Sequence, residues 1–128
     1  MSALVVDTSS WIAWLAGGGS PLVDEALEEG RLHLPVVVSA ELLSGRLADS
    51  ERAELQDMLS DLPAVGTDPA HWFRVGKLRA GLRAEGLSVS TPDAHVAQCA
   101  IDTGGVLLSE DRVFEKIAKV VPLLLAKP

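Results

Sequence analysis

Apolar residues fall along this chain in two alternating rhythms. Leu4 to Val6 is a short, wholly apolar run closed by Asp7, the pattern of a strand buried on both faces. Directly after it Trp11, Ile12, Trp14 and Leu15 recur at helical spacing, with Thr8, Ser9 or Ser10 available as the cap. Gly17 to Gly19 stops that helix, Pro21 opens a short second one running through Glu29, and Gly30 terminates it. Arg31 to Leu34 reads as a second strand, and Val36 to Arg46 as a helix carrying Glu41 on its early turns. Asp49 or Ser50 caps a further helix to about Asp61.

The second half repeats the scheme. Pro63 to Val65 predicts a short strand, and Asp68-Pro69 starts a helix in which Trp72, Val75, Leu78 and Leu82 recur every three or four residues. Thr91-Pro92-Asp93 repeats that start signal, Ala94, Ala97 and Ile101 give the new helix a small-residue face, and Gly104-Gly105 ends it. Val106 to Leu108 is another apolar strand, running into Ser109-Glu110-Asp111. Phe114 to Lys119 predicts a short helix and Val120 to Leu124 a last strand. Strands alternating with helices imply right-handed crossovers, hence a three-layer α/β/α fold around a central, mostly parallel sheet. At 128 residues and 48% apolar composition, one domain spanning 1–128 is expected.

Composition narrows the setting. No apolar run approaches the ~20 residues of a membrane-spanning helix, and Met1 to Val6 carries no basic leader, so a soluble, cytoplasmic protein with no membrane partner is expected. Cys99 is the only cysteine, which excludes an intramolecular disulfide and a cysteine-based zinc site. The net charge of −7 opposes a broad grip on nucleic acid, unless part of the acidity is gathered in a metal pocket and a local basic strip remains for the substrate.

The acids are placed to do that. Asp7-Thr8-Ser9 and Ser109-Glu110-Asp111 each follow a buried strand, at the sheet edge where α/β proteins bind ligands. Glu41 and Asp93 lie near the starts of helices, which begin on the same edge. Taken singly, Asp93 reads as a helix-start residue, Glu41 as a solvated helix position and Asp111 equally well as a cap. Asp7, closing an apolar strand, needs a cleft or a partner. Four converging carboxylates repel unless a cation neutralises them, and an all-oxygen set points to Mg²⁺ or Mn²⁺. Metal-assisted phosphodiester hydrolysis is the corresponding chemistry.

The order Asp7-Thr8-Ser9, then Ala40-Glu41-Leu42, then Pro92 to Ala97 (Pro-Asp-Ala-His-Val-Ala), then Leu107 to Phe114 (Leu-Leu-Ser-Glu-Asp-Arg-Val-Phe) resembles a VapC-type PIN domain over the whole chain. The resemblance implies an acidic pocket of Asp7, Glu41, Asp93 and Asp111 with Ser9 and Ser109 as supporting hydroxyls. It further implies metal-dependent endoribonuclease activity leaving a 5′-phosphate, homodimerisation, and inhibition by a cognate VapB-like antitoxin, making the chain the toxin of a type II pair. The last family motif often reads Thr-x-Asp-x-Asp-Phe; here Ser109 replaces Thr and Val113 stands where a fifth acid would be.

The remaining chemistry-bearing residues read more plainly. His33, His71 and His95 are scattered without ligand spacing and are assigned no metal, and on a helix His95 projects about 200° from Asp93. Cys99 is a small core residue, and Trp11, Trp14 and Trp72 are core or dimer contacts on apolar stripes. Arg74, Lys77, Arg79 and Arg83 crowd one helix and are the candidates for touching RNA phosphates, with a solvated helix face as the equal alternative. A haloacid-dehalogenase-like phosphatase would need an acid where Ser9 stands, and a receiver-like domain an acidic pair after the first strand. The non-enzymatic alternative is a PIN-fold interaction module whose acids bind metal or an Arg-rich partner without turnover.

Overall fold

In a computed structural model, residues 2–127 are described; Met1 and Pro128, the ends of the expected domain, lie outside the described residues. Three wholly buried residues form the first strand, β1 (Leu4–Val6), followed by α1 (Thr8–Leu15) and α2 (Pro21–Glu28). Then come β2 (Leu32–Pro35), α3 (Val36–Leu43), α4 (Asp49–Ser60) and β3 (Ala64–Val65). The chain continues through α5 (Pro69–Ala84), α6 (Thr91–Thr103), β4 (Val106–Leu108) and α7 (Val113–Ala118). All strands pair in parallel in the order β3-β2-β1-β4, with Leu4 opposite Leu32 on one side and Val106 on the other. The sheet is flanked by helices, giving the three-layer α/β/α architecture the sequence predicts.

Because β1 is central and the chain later crosses to its other side at β4, the order of strands reverses between them, and a crevice opens beyond their C-terminal ends. Helix α6 sits against β1, β2 and β4, and α5 packs along its outer side. The small side chains Ala94, Ala97 and Ala100 permit that approach: every residue from Ala94 to Ala100 is buried. Gly104, at φ 65°, caps the helix in the left-handed conformation that costs glycine least. Among the described residues no helix is long and apolar enough to cross a membrane.

Several local expectations are corrected. No strand forms at Val120 to Leu124. The amides of Val120 and Val121 turn back to the Ile117 carbonyl and Pro122 has no amide to give, so ladder pairing is delayed to a single bridge between Leu107 and Leu125. The first helix takes its cap position from Asp7, without a side-chain bond, instead of Thr8, Ser9 or Ser10. Ala48 precedes α4 in place of Asp49 or Ser50, its amide donating to the Glu51 carboxylate at 2.9 Å. Helix α6 is capped by Ser90 and not Thr91, the Ser90 hydroxyl accepting from the Asp93 amide. Asp68 caps α5 as the sequence indicates, accepting from the His71 amide at 2.8 Å.

The inward face of α1 is set by Trp11, fully buried, while Ile12 beside it is 56% exposed. Trp11→Ala is therefore expected to cost ~3–5 kcal/mol in urea unfolding, whereas Ile12→Ala should change stability by less than about 0.5 kcal/mol. Equal losses would mean that α1 is turned differently on the core.

Candidate active site

β1 and β4 deliver their polar ends side by side because the Asp7 amide donates to the Leu108 carbonyl at 2.9 Å, extending the ladder one step past the apolar run. The buried Asp7 carboxylate then accepts from two hydroxyls through one oxygen, Oδ2: from Ser109 at 2.9 Å and from Ser9 at 3.1 Å. Those serines also accept from backbone amides, Ser9 from Glu110 and Ser109 from Asp111. The turn after β4 is thus folded around the serines, and they in turn fix the Asp7 side chain. Asp111 closes the turn by accepting from the Val113 amide at 3.0 Å, but Arg112 and not Asp111 holds the cap position of α7, without a side-chain bond.

Glu41 reaches this edge from α3 and is held by the Thr8 hydroxyl at 2.8 Å. Asp93, on the first turn of α6, completes the set. Burial pushes its carboxyl above the usual carboxylate range; the Ser90 hydroxyl opposes this, and the negative charges of Asp7, Asp111 and Glu41 add to the rise. Asp93 is thus within electrostatic reach of each of the other three. None of the four forms an ion pair with Lys, Arg or His among the described residues. A hollow of about 320 Å³ opens beside Ser109 and Asp111, floored by Leu107, Phe114 and Leu125.

The donor set suits a hard cation. It is made of carboxylate and hydroxyl oxygens, carries four unbalanced negative charges, and is open: no three of these carboxylates bring oxygens within 4.8 Å of one another. An ion that keeps much of its water and takes only one or two carboxylates directly, as Mg²⁺ does, fits such spacing. Glu110 is exposed and contributes its amide, and Val113 leaves the fifth acidic position apolar.

Two of the four basic candidates on α5 are already engaged. Arg74 grips Asp102 through two hydrogen bonds of 3.0 Å, and Arg79 donates to the Val89 carbonyl. Lys77 lines a shallow groove with Arg74 and Val121, and Arg83 lies in the last turn.

The histidine expectation needs correction, since His71 and His95 are not scattered. They meet in the core with Nε2 of the first 2.7 Å from Nδ1 of the second, and the Cys99 sulfur lies 3.8 Å from the His95 ring. Burial, reinforced by His71, lowers the His95 pKa to about 4, and burial pushes the Cys99 thiol up. On the far side His71 Nδ1 is 2.7 Å from Asp102, whose pKa is held near 2: burial raises it, but hydrogen bonds from Arg74, His71 and Gln98 outweigh that. The spacing His95, Cys99, Asp102, at i, i+4 and i+7, was the available signal, a polar stripe within an otherwise apolar helix. The exclusion of a zinc site built on cysteine rests on Cys99 being the sole cysteine; here its sulfur and nitrogens of His71 and His95 lie within 4.8 Å of one another, with the two rings hydrogen-bonded. His33 stays apart, bonded to the Arg31 carbonyl.

Comparison with known proteins sets this geometry in context. The family model for the PIN domain matches residues 4–120. The VapC ribonuclease Mb1587 of Mycobacterium bovis and ribonuclease VapC11 of Mycobacterium tuberculosis are each 30% identical over 127 residues, covering 94% of this chain and 95% of theirs. The DNA-bound VapBC of Salmonella typhimurium superposes with a TM-score of 0.80 at 21% identity, over 98% of both chains. VapBC-5 of Mycobacterium tuberculosis does so with a TM-score of 0.69 at 25% identity, over 100% of both. The chain belongs to the PIN-domain family, on its VapC branch.

Proposed function

We propose that this protein is a metal-dependent endoribonuclease and the toxin of a toxin–antitoxin pair. The reading is supported by Asp93, whose carboxyl feels the charges of Asp7, Glu41 and Asp111, and by the lack of an ion pair to any of the four among the described residues. The naming of its relatives as ribonucleases supports the substrate class. Bound Mg²⁺ or Mn²⁺ would supply an activated water and offset charge on the scissile phosphate. The chain's own part is to hold the oxygens in place: Ser9 and Ser109 lock Asp7, Thr8 locks Glu41, and Asp93 stands on the first turn of α6. Lys77 and Arg83 remain the basic groups on α5 best placed to meet RNA phosphate, as Arg74 and Arg79 are occupied.

The same unbalanced acids account for inhibition. An antitoxin that inserts an Arg among them replaces the missing cation and blocks substrate together. Exposed apolar side chains such as Phe73, 76% exposed, support the further reading that two copies associate as a homodimer.

Purified protein is expected to cut total cellular RNA at discrete sites with Mn²⁺ or Mg²⁺ and to fall silent in EDTA. Asp7→Asn and Asp93→Asn should each lower the rate at least about 100-fold, since losing even a group that only supports a metal ligand costs about 10–100-fold. Metal binding without cleavage would establish the interaction module instead, with Val113 as its reason.

Expression is expected to arrest growth, and co-expression of the partner encoded beside it to restore growth. Arrest that persists in the Asp7→Asn chain would break the link between the acids and toxicity.

Asp93 gives a third test. In metal-free protein its carboxyl should titrate above the ordinary value of about 3.9, and Asp7→Asn should bring it down, as read by carboxyl ¹³C NMR. A carboxyl whose folded pKa is raised contributes stability that is full below its unfolded pKa and is lost as pH rises through the folded one. In EDTA, Asp93→Asn should therefore raise the unfolding midpoint at neutral pH.

A further inference from the structure

Helix α3 carries Glu41 yet starts without a cap of its own. Pro35 at its cap position offers no side-chain acceptor, and its first three residues, Val36, Val37 and Val38, have no polar side chain. The leading amides of a helix lack intrahelical partners. One of them, that of Val37, is taken from another helix: it lies 3.3 Å from Nε2 of His95 on α6.

A backbone N–H can only donate, and this fixes everything behind it. Nε2 of His95 is the acceptor, so the proton of the neutral ring sits on Nδ1 and is donated to His71 Nε2, 2.7 Å away. His71 then carries its own proton on Nδ1 and donates it to Asp102 at 2.7 Å. Asp102 is anchored in turn by Arg74 and by Gln98. The hydrogen bonds run one way from the start of α3 through α6 and α5 to the surface.

The His95 ring has no freedom to leave. The Trp72 indole lies parallel to it at 4.5 Å and 5°, and donates its own N–H to the Gly66 carbonyl. Gly66, at φ 94°, comes so close that a Cβ there would stand 2.5 Å from His95 Cε1. His95 is two residues from Asp93 on α6, and Glu41 lies one turn beyond Val37 on the same side of α3. A single hydrogen bond therefore spans the two helices that bring Glu41 and Asp93 to the crevice.

We propose that His95 is a positioning residue, capping α3 from α6 and thereby setting Glu41 against Asp93; its consequence for metal and RNA rests on the nuclease reading, while the cap itself does not. The replacement His95→Gln puts an amide oxygen where Nε2 stands and keeps the acceptor for Val37. His95→Asn, one methylene shorter, reaches only the Nδ1 position and loses it. Val37→Pro removes the donor from the α3 side and sets a ring carbon against Nε2, so it breaks the cap while the histidine itself is unchanged; it stands at the second helical position, one beyond where proline fits best.

The experiment compares wild type and these three chains, with thermal unfolding as the check that each is folded. It reads Val37 amide exchange, Mn²⁺ affinity by electron paramagnetic resonance of the free ion, and kcat and KM on RNA. The Gln chain should keep Val37 protected and bind Mn²⁺ within a few-fold of wild type. The Asn chain should exchange Val37 at least about 10-fold faster, and Asn and Pro chains should bind Mn²⁺ about 10-fold more weakly or worse, with kcat reduced and KM for RNA unchanged. Equal Val37 protection in the Gln and Asn chains, or wild-type Mn²⁺ affinity in both the Asn and Pro chains, would overturn the proposal. A wild type that protects Val37 but cleaves no RNA with Mn²⁺ would remove the nuclease reading and leave the cap standing.

Discussion

The parallel pairing of β1 with β4 is the constraint on which the rest depends. These two strands are joined in space but separated by most of the chain, and their shared register puts Val6 opposite Leu108 and so Asp7 beside Ser109. Three-residue strands have little ladder to hold them, so the register is kept by burial on both faces and by α6, whose run of seven buried residues touches β1, β2 and β4 together. A slip of one residue would exchange the two buried faces of β1 and carry Asp7 away from both serines. Core packing and site geometry are in this sense one requirement.

Two acids on α6 show how surroundings divide one residue type between opposite tasks. Asp102 is met by a guanidinium, an imidazole and an amide, and is a fully satisfied structural anion. Asp93, nine residues earlier, meets other carboxylates and is left wanting a positive charge. A buried charge with its partners in place rigidifies; one without them invites a ligand. The helix is anchored at one end by the first kind and offers the second at the other.

Much of this was legible in the chain itself. The all-apolar runs Leu4–Val6 and Val106–Leu108 announced buried parallel strands, and acids directly after them fell where such sheets bind ligands. What escaped were features that depend on which distant residue arrives. No local pattern says that Ser90, and not Thr91, caps α6, since both are good caps and only the backbone path selects one. Val120–Leu124 has strand-like composition, but the turn closing α7 and the missing amide of Pro122 withdraw it from the ladder. His71 and His95 looked isolated because 24 residues separate them and the contact is made only when α5 lies along α6.

The long sequence separation between Asp7 and Asp111 has a consequence for synthesis. During translation β1 emerges well ahead of its second neighbour β4 and of the turn that clasps Asp7, 102 residues further on. A chain released early, or clipped ahead of β4, holds neither a closed sheet nor the full set of acids. The acidic edge is therefore assembled only after β4 and its turn have emerged, however much of the chain ahead of them has already folded.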